Sequence, residues 1–199
     1  MDDIVLRAMA RWPNVPAVFG WLRLDRRGRW LLRTAAGPAG RFEPIGNVAF
    51  GEFISRNYQS DEQGRWYFQN GPQRVFVGLD GAPWVFRLDD AARHWVTHTG
   101  IPSGNVSAVL FAGDDRVLLA TERGVGDVLD RDLTALFERL TARGGGALDP
   151  EVLLASLRAG GPQHVELDGH LVSAEAVAPG ALPERFGYVA EPEAPAQAA

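Results

Sequence analysis

Histidine pairs, paired carboxylates and glycine-rich turns are the residues of this chain whose types and spacing could do chemistry. His94 and His98 are four positions apart, the spacing at which two histidines on a helix bind one metal ion. The residues between them, Trp95-Val96-Thr97, instead favour a strand, on which the two side chains share a face but lie about 13 Å apart. Because the chain also has no cysteine, we predict no metal site and no cofactor.

Catalytic motifs are not evident. The sequence contains neither a Gly-x-Ser-x-Gly elbow nor a Ser-x-x-Lys motif. Paired acidic residues such as Asp61-Glu62 and Asp89-Asp90 lie next to predicted turns, where a carboxylate accepts hydrogen bonds from free backbone amides. Gly124-Val125-Gly126-Asp127 resembles part of a phosphate loop but lacks its third glycine and its lysine. These observations favour a protein that is not an enzyme, with a dispersed, motif-free active site as the alternative.

Composition narrows the classes of partner. All 20 basic residues are arginine, they are scattered among 25 acidic residues, and the net charge is −5. Nucleic-acid binding needs clustered positive charge, so we predict no nucleic-acid partner. The acidic start, Met1-Asp2-Asp3, is unlike a signal peptide, and no apolar run reaches the length of a membrane span. We therefore expect a soluble cytoplasmic protein, and the abundance of Arg, Ala, Gly and Pro indicates a bacterial one.

The elements that must position any site are short strands and helices. Apolar periodicity predicts a first short helix, a helix over 45–57, one over 132–143, and one that Asp149 and Pro150 begin. Alternating segments joined by turns such as Asn70-Gly71 predict hairpins. The fold class is thus α+β, with antiparallel hairpins and packed helices. We predict an N-terminal α+β half over 1–100, a C-terminal α+β half over 101–189, and a disordered tail over 190–199.

Five segments of the first half form a recognisable set: Ala10 to Pro16, Gly20-Trp21-Leu22, Asp25 to Trp30, Arg56-Asn57-Tyr58 and Gly64 to Val75. Together they resemble a proteobacterial family of small conserved proteins of unknown function. The resemblance thins out after about His98, and it implies no activity because none is known for that family.

Both halves repeat the order hairpin, helix, hairpin, and Gly71 to Val75 (Gly-Pro-Gln-Arg-Val) is echoed by Gly161 to Val165 (Gly-Pro-Gln-His-Val). A degenerate duplication and two independent uses of Gly-Pro are both compatible with this echo. Aromatic residues on both faces of the strands near residues 66–88 predict that both sheet faces are covered.

The six tryptophans and the absence of catalytic motifs favour a binding or interaction module for a small apolar ligand or a protein partner. Arg74, Trp84 and His98 are the predicted ligand-binding residues. Homo-oligomerisation stays open.

Overall fold

A computed structural model describes residues 1–37, 39–89, 91, 93–113, 115–160 and 163–195. The chain divides into two compact units, unit 1 (Met1–Pro83 with Gly187–Ala199) and unit 2 (Trp84–Phe186). The division falls at Pro83 rather than near Gly100, because Trp84 begins a strand that pairs with Gly124–Val128 inside unit 2. Residues from Gly187 onward belong to unit 1 rather than to the second half.

Unit 1 is built on a six-stranded sheet. Its strand order is β3-β2-β1-β6-β5-β4, and neighbours are antiparallel except β1 and β6, which run parallel. Two three-stranded meanders, connected by a helix, thus pair through the first and the last strand. The elements are α1 (Asp3–Arg11), β1 (Val18–Leu24), β2 (Trp30–Arg33), β3 (Phe42–Pro44), α2 (Val48–Arg56), β4 (Tyr58–Ser60), β5 (Trp66–Asn70) and β6 (Gln73–Leu79).

Unit 2 contains a nine-stranded sheet of order β13-β12-β14-β15-β9-β10-β11-β7-β8. Its elements are β7 (Trp84–Leu88), β8 (Trp95–Thr97), β9 (Val106–Ala112), β10 (Arg116–Thr121), β11 (Gly124–Val128), α3 (Leu133–Arg139), β12 (Leu140–Ala142), β13 (Gly146–Ala147), α4 (Pro150–Arg158), β14 (Gln163–Leu167), β15 (His170–Val177) and α5 (Leu182–Phe186), with 3₁₀ turns at Asp130–Asp132 and Pro179–Ala181.

The two units share one topology. With β7, β8 and β13 set aside, unit 2 reads β11-β10-β9-β15-β14-β12, which matches β3-β2-β1-β6-β5-β4 of unit 1. The parallel pair β15 and β9 corresponds to the parallel pair β6 and β1. The α+β class is therefore confirmed, although both sheets are mixed rather than purely antiparallel.

The sequence echo does not trace this shared topology. Gln73 begins β6, whereas Gln163 begins β14, and β14 corresponds to β5. Gly161 and Pro162, which complete the second copy of the echo, lie outside the described residues. Topology supports a duplication, and the five-residue echo does not.

Local signals placed most helices correctly. The Asn47 side chain accepts a hydrogen bond from Phe50 N at 3.0 Å and begins α2 within the predicted range 45–57. Asp149 caps α4 by accepting from Glu151 N at 2.8 Å, as its position before a proline predicts. No helix in the described part of the chain has the length and apolar character needed to cross a bilayer.

The helix predicted over 132–143 is shorter. The α-helix α3 ends at Arg139, because the next three residues pair with β14 as strand β12. Leu140 is apolar and buried, so it fits the core face of a helix or of a strand equally well. Helical periodicity alone therefore predicted a helix that continues past its real end.

Helix α2 covers one face of the sheet in unit 1. Phe68 of β5 points toward it and meets the rings of Phe50 and Phe53 edge-on, with centroids 6.2 and 5.4 Å away. Such T-shaped contacts place the positive edge of one ring on the negative face of another.

Arginine side chains cover the opposite face. There Tyr67 and Phe76 pack against each other at 5.7 Å and are almost fully buried. The guanidinium of Arg65 lies 4.7 Å from the Phe76 ring centre, and that of Arg74 lies 4.7 Å from the Tyr67 ring centre. Helix α2 thus covers one face, as the sequence predicted, whereas cover of the other face by the second half, a partner subunit or a ligand stays a prediction.

The end of the chain is docked on unit 1 rather than free from Ala190 onward. We call residues 188–192 the C-terminal strap. Tyr188 is buried, with 6% of its surface exposed. Residues 196–199 of the predicted tail lie outside the described residues. The strap is held by hydrogen bonds from Val189 N to Gly64 O and from Leu79 N to Ala190 O, and by an ion pair between Arg23 and Glu191.

The glycines at 124–127 are strand residues and do not form a phosphate loop. They lie in β11, between β10 and β7. A Cβ at Gly126 would stand 2.6 Å from Cε2 of Phe86 and 2.8 Å from Cβ of Trp84. Glycine therefore leaves the space that these two side chains of the neighbouring strand β7 occupy. Asp127 forms a two-point ion pair with Arg116, at 2.8 and 3.1 Å.

Replacing Gly126 with alanine is expected to lower the free energy of unfolding by about 1–3 kcal/mol, because the added methyl group forces Phe86 and Trp84 to move. Urea denaturation measures the change. Gly146→Ala is the matched control in the same unit, since its Cβ would meet nothing closer than 3.9 Å. Equal stability of the two variants would contradict the packing role of Gly126.

Candidate functional site

Trp84 and His98 are close together in unit 2. Their ring centres are 5.7 Å apart, Trp84 Nε1 donates to Arg123 O at 2.9 Å, and His98 Nδ1 accepts from Val85 N at 3.3 Å. The residue His98 is half-buried, but its Nε2 atom is shielded from solvent. Burial lowers the pKa of His98 to about 3, so the ring is neutral at physiological pH. This pair packs strands β7 and β8 together.

Arg74 belongs to unit 1, whereas the other two predicted residues, Trp84 and His98, belong to unit 2. It lies on the face that Tyr67 and Phe76 share and lines a small pocket of about 220 Å³ beside the loop that follows α1. The ligand-binding role of Arg74, Trp84 and His98 stays a prediction.

A larger cavity lies within unit 2, with a volume of about 1060 Å³. We call it the unit 2 cavity. Four segments form it: the β7–β8 turn, the loop from Pro102 to Asn105, the last residue of α3, and the β14–β15 turn. Its polar and aromatic lining consists of Arg93, His94, Trp95, Arg139, Asp168 and His170.

Two tight turns position these side chains. Asp89 holds the β7–β8 turn, because its Oδ1 accepts from Arg93 N at 2.8 Å and from His94 N at 3.3 Å. At the β14–β15 turn, Asp168 adopts φ 52° and Gly169 φ 78°, the left-handed conformations that a two-residue hairpin turn requires. These two turns therefore carry much of the polar lining of the cavity.

Sheet curvature brings the lining together. Four strands separate β15 from β8 in the sheet, yet Val172 of β15 and Trp95 of β8 line the same cavity. A flat sheet would hold these strands about 24 Å apart, at about 4.8 Å per strand. The sheet of unit 2 must therefore curve around the cavity.

The charge of the lining is net positive, in contrast to the chain as a whole. Arg93 and Arg139 contribute two positive charges, and Asp168, whose Oδ2 lies 3.4 Å from Arg139 Nη1, contributes one negative charge. His94 and His170 add two imidazole side chains that can donate or accept hydrogen bonds. Arg93 is thus the lining residue whose positive charge no lining carboxylate offsets.

One of the lining residues also carries a buried donor. Trp95 is only 5% exposed, and its Nε1 has no hydrogen-bond partner among the described residues. A buried indole N–H normally has a partner, because leaving it unpaired costs about 1–3 kcal/mol. Neighbouring polar groups are already engaged: Ser103 Oγ donates to Gly104 O, and Asn105 Nδ2 donates to Glu122 Oε1. Trp95 Nε1 is thus a buried donor of the lining that has no partner among the described residues.

The two histidines of the metal-like pair lie at opposite ends of β8, just outside the strand. His94 lines the unit 2 cavity, while His98 packs on Trp84. Within the residues that the structure describes, no group of three or more His, Asp or Glu side chains could hold a metal ion.

Sequence reasoning missed most of the cavity. It singled out His94 only as half of a metal-like pair and gave Arg93, Trp95, Arg139 and Asp168 no site role. Asp89 and Asp168 are of a residue type that favours turns. No periodicity or spacing, however, connects two turns that are 79 positions apart along the chain. Only the curved sheet brings them to one cavity.

Comparison with known proteins finds a matching family model and a similar structure, and their descriptions name no activity. A family model described as "Protein of unknown function (DUF2946)" matches residues 1–193, well beyond the first half to which the sequence resemblance was confined. None of the curated proteins matches the chain. Among solved structures, a DUF1285 family protein from Silicibacter pomeroyi DSS-3 is similar over 86% of this chain and 94% of that chain, with 16% sequence identity and a TM-score of 0.49.

Proposed function

We propose a function from the geometry of the unit 2 cavity, on the premise that this chain belongs to the family of the matching model, DUF2944, which is described only as "Protein of unknown function (DUF2946)". The chain is a binding module, and the unit 2 cavity holds a small organic anion. The observation that carries the proposal is the combination, in one cavity of about 1060 Å³, of two arginines with the buried and unpartnered Trp95 N–H.

The shape of the cavity supports a ligand with an apolar part. Its volume lies at the upper end of the range for small-molecule sites, which are mostly apolar with a few polar groups that fix orientation. Val106, Leu167 and Val172 line it beside the charged groups. The lining therefore refines the apolar ligand predicted from sequence to one that also carries a negative charge.

An enzyme remains the alternative. Histidine and aspartate side chains in the cavity could transfer protons, so an enzyme would convert the bound molecule whereas a binding module returns it unchanged. The proposal also includes a cytoplasmic location, a proteobacterial distribution and no nucleic-acid partner. The sequence supports the last two through its first-half resemblance and its net charge of −5.

Native mass spectrometry of protein purified gently from its own host tests the proposal directly. We expect a small organic anion bound to the chain and recovered unchanged after incubation. A cargo that is neutral and wholly apolar, or recovery of a converted product, would contradict the anion-binding module.

Phenyl phosphate is a suitable probe, since it combines a dianion with an apolar ring. We expect it to bind more tightly than inorganic phosphate or phenol in calorimetric titration. Arg93→Ala should weaken binding about tenfold, the usual effect of removing one charge-assisted hydrogen bond. Arg131→Ala is the matched control, because Arg131 belongs to the same unit, is exposed and does not line the cavity. Equal loss in both variants would indicate nonspecific attraction.

A further inference from the structure

Unit 1 contains a second pocket with a buried acceptor. It lies between the loop that joins α1 to β1 and the turn that joins β5 to β6, and it measures about 220 Å³. Gln69 forms part of its wall and is 1% exposed, yet its Oε1 has no hydrogen-bond partner among the described residues.

The orientation of the Gln69 amide is determined by its neighbour. Gln69 Nε2 donates to Gly71 O at 2.9 Å, and a carbonyl oxygen can only accept. Exchanging the two ends of the amide would place oxygen against oxygen. The unpartnered atom is therefore the acceptor, and a group that satisfies it must donate.

The rest of the pocket is apolar on one side and positive on the other. Met9, Trp12 and Val15 supply apolar surface, and half of the surface of Trp12 is exposed. Arg74 lines the same pocket and forms no ion pair within the described part of the chain. Gln69 and Arg74 are register partners on β5 and β6, so both point to the same sheet face.

We propose that this pocket binds an aromatic carboxylate that carries a ring N–H. The ring packs on Trp12 and Met9, the N–H donates to Gln69 Oε1, and the carboxylate pairs with Arg74. A volume of about 220 Å³ is below the range for drug-sized ligands and suits a fused two-ring compound or smaller. Indole-3-acetate has this chemistry and is the probe for the test.

The test compares two isosteric probes by calorimetric titration. Benzofuran-3-acetate has the shape and charge of indole-3-acetate, with a ring oxygen in place of the N–H. We expect indole-3-acetate to bind at least tenfold more tightly to the natural protein, since a buried acceptor left unpaired costs about 1–3 kcal/mol. In Gln69→Met the two probes should bind equally. In Arg74→Gln, indole-3-acetate should lose affinity about tenfold, while neutral indole-3-acetamide should lose almost none.

Equal binding of the two probes to the natural protein overturns the proposal, and this comparison needs no variant to fold. Equal loss of the acid and the amide in Arg74→Gln overturns the assignment of the carboxylate. Binding of indole-3-acetate that Arg93→Ala weakens and Gln69→Met does not would assign the compound to the unit 2 cavity. The two sites lie in different compact units, so failure of either proposal leaves the other standing.

Discussion

Truncation of the chain after Phe186 is expected to lower the free energy of unfolding of unit 1 by about 3–5 kcal/mol, the usual cost of removing a large buried aromatic side chain. The truncation deletes the C-terminal strap, including Tyr188, which is 6% exposed. It also removes the partners of Gly64 O and Leu79 N, and one of the two carboxylates that pair with the Arg23 guanidinium, which keeps Asp80. Urea denaturation followed by tryptophan fluorescence measures the loss.

Shorter truncations separate the strap from the residues beyond it. A chain that stops after Val189 keeps Tyr188 but loses the hydrogen bond from Leu79 N and the ion pair of Glu191, so its stability should fall by about 1–2 kcal/mol. A chain that stops after Glu193 keeps every strap contact and should be as stable as the full chain. If stopping after Val189 cost nothing, the sequence-based expectation of a dispensable tail from Ala190 would be right.

Acidification is expected to destabilise unit 2 through His98. The ring is neutral in the folded protein down to a pKa of about 3, whereas in the unfolded chain it binds a proton below about pH 6.5. Between these values the unfolded state holds more protons, so the free energy of unfolding rises with pH. The stabilisation is complete above pH 6.5 and is lost as the pH falls, by about 3 kcal/mol from pH 7 to pH 4.

His98→Asn is the variant that tests this titration. The asparagine side chain cannot ionise in this range, but its oxygen can accept the hydrogen bond that Val85 N donates to His98 Nδ1. We expect the variant to lose less stability than the natural protein between pH 7 and pH 4, measured by urea denaturation at each pH. The difference between the two proteins should be constant above pH 7. Parallel curves over the whole range would show that His98 titrates equally in both states.

The carboxylates act at lower pH and do not obscure this effect. Burial alone raises the pKa of Asp61, but hydrogen bonds from Arg65 and from backbone amides outweigh it, and the net pKa is lowered. For Glu175, burial is likewise outweighed by hydrogen bonds from Arg185 and Ser173, and the net pKa is lowered. Their stabilisation is lost only as the pH falls below the ordinary carboxylate pKa of about 4. The His98→Asn comparison cancels these contributions because both proteins contain them.

The sequence by itself determined the features that depend on neighbouring residues. Asp149 before Pro150 predicted the start of α4, and Asn70-Gly71 predicted a tight turn between β5 and β6. These predictions succeeded because a cap or a turn is a contact between residues two to four positions apart, and its free energy hardly depends on the rest of the chain.

Only the tertiary structure decided which strands pair across long distances and what the paired sheet encloses. The parallel pair of β1 and β6 joins residues more than 50 positions apart, and nothing in either strand specifies that partner. Leu140 could continue a helix or enter a strand, and pairing with Leu167 decided for the strand. Arg93 and Arg139 face one cavity because the sheet of unit 2 curves, and this curvature is a property of the assembled strands rather than of any one of them.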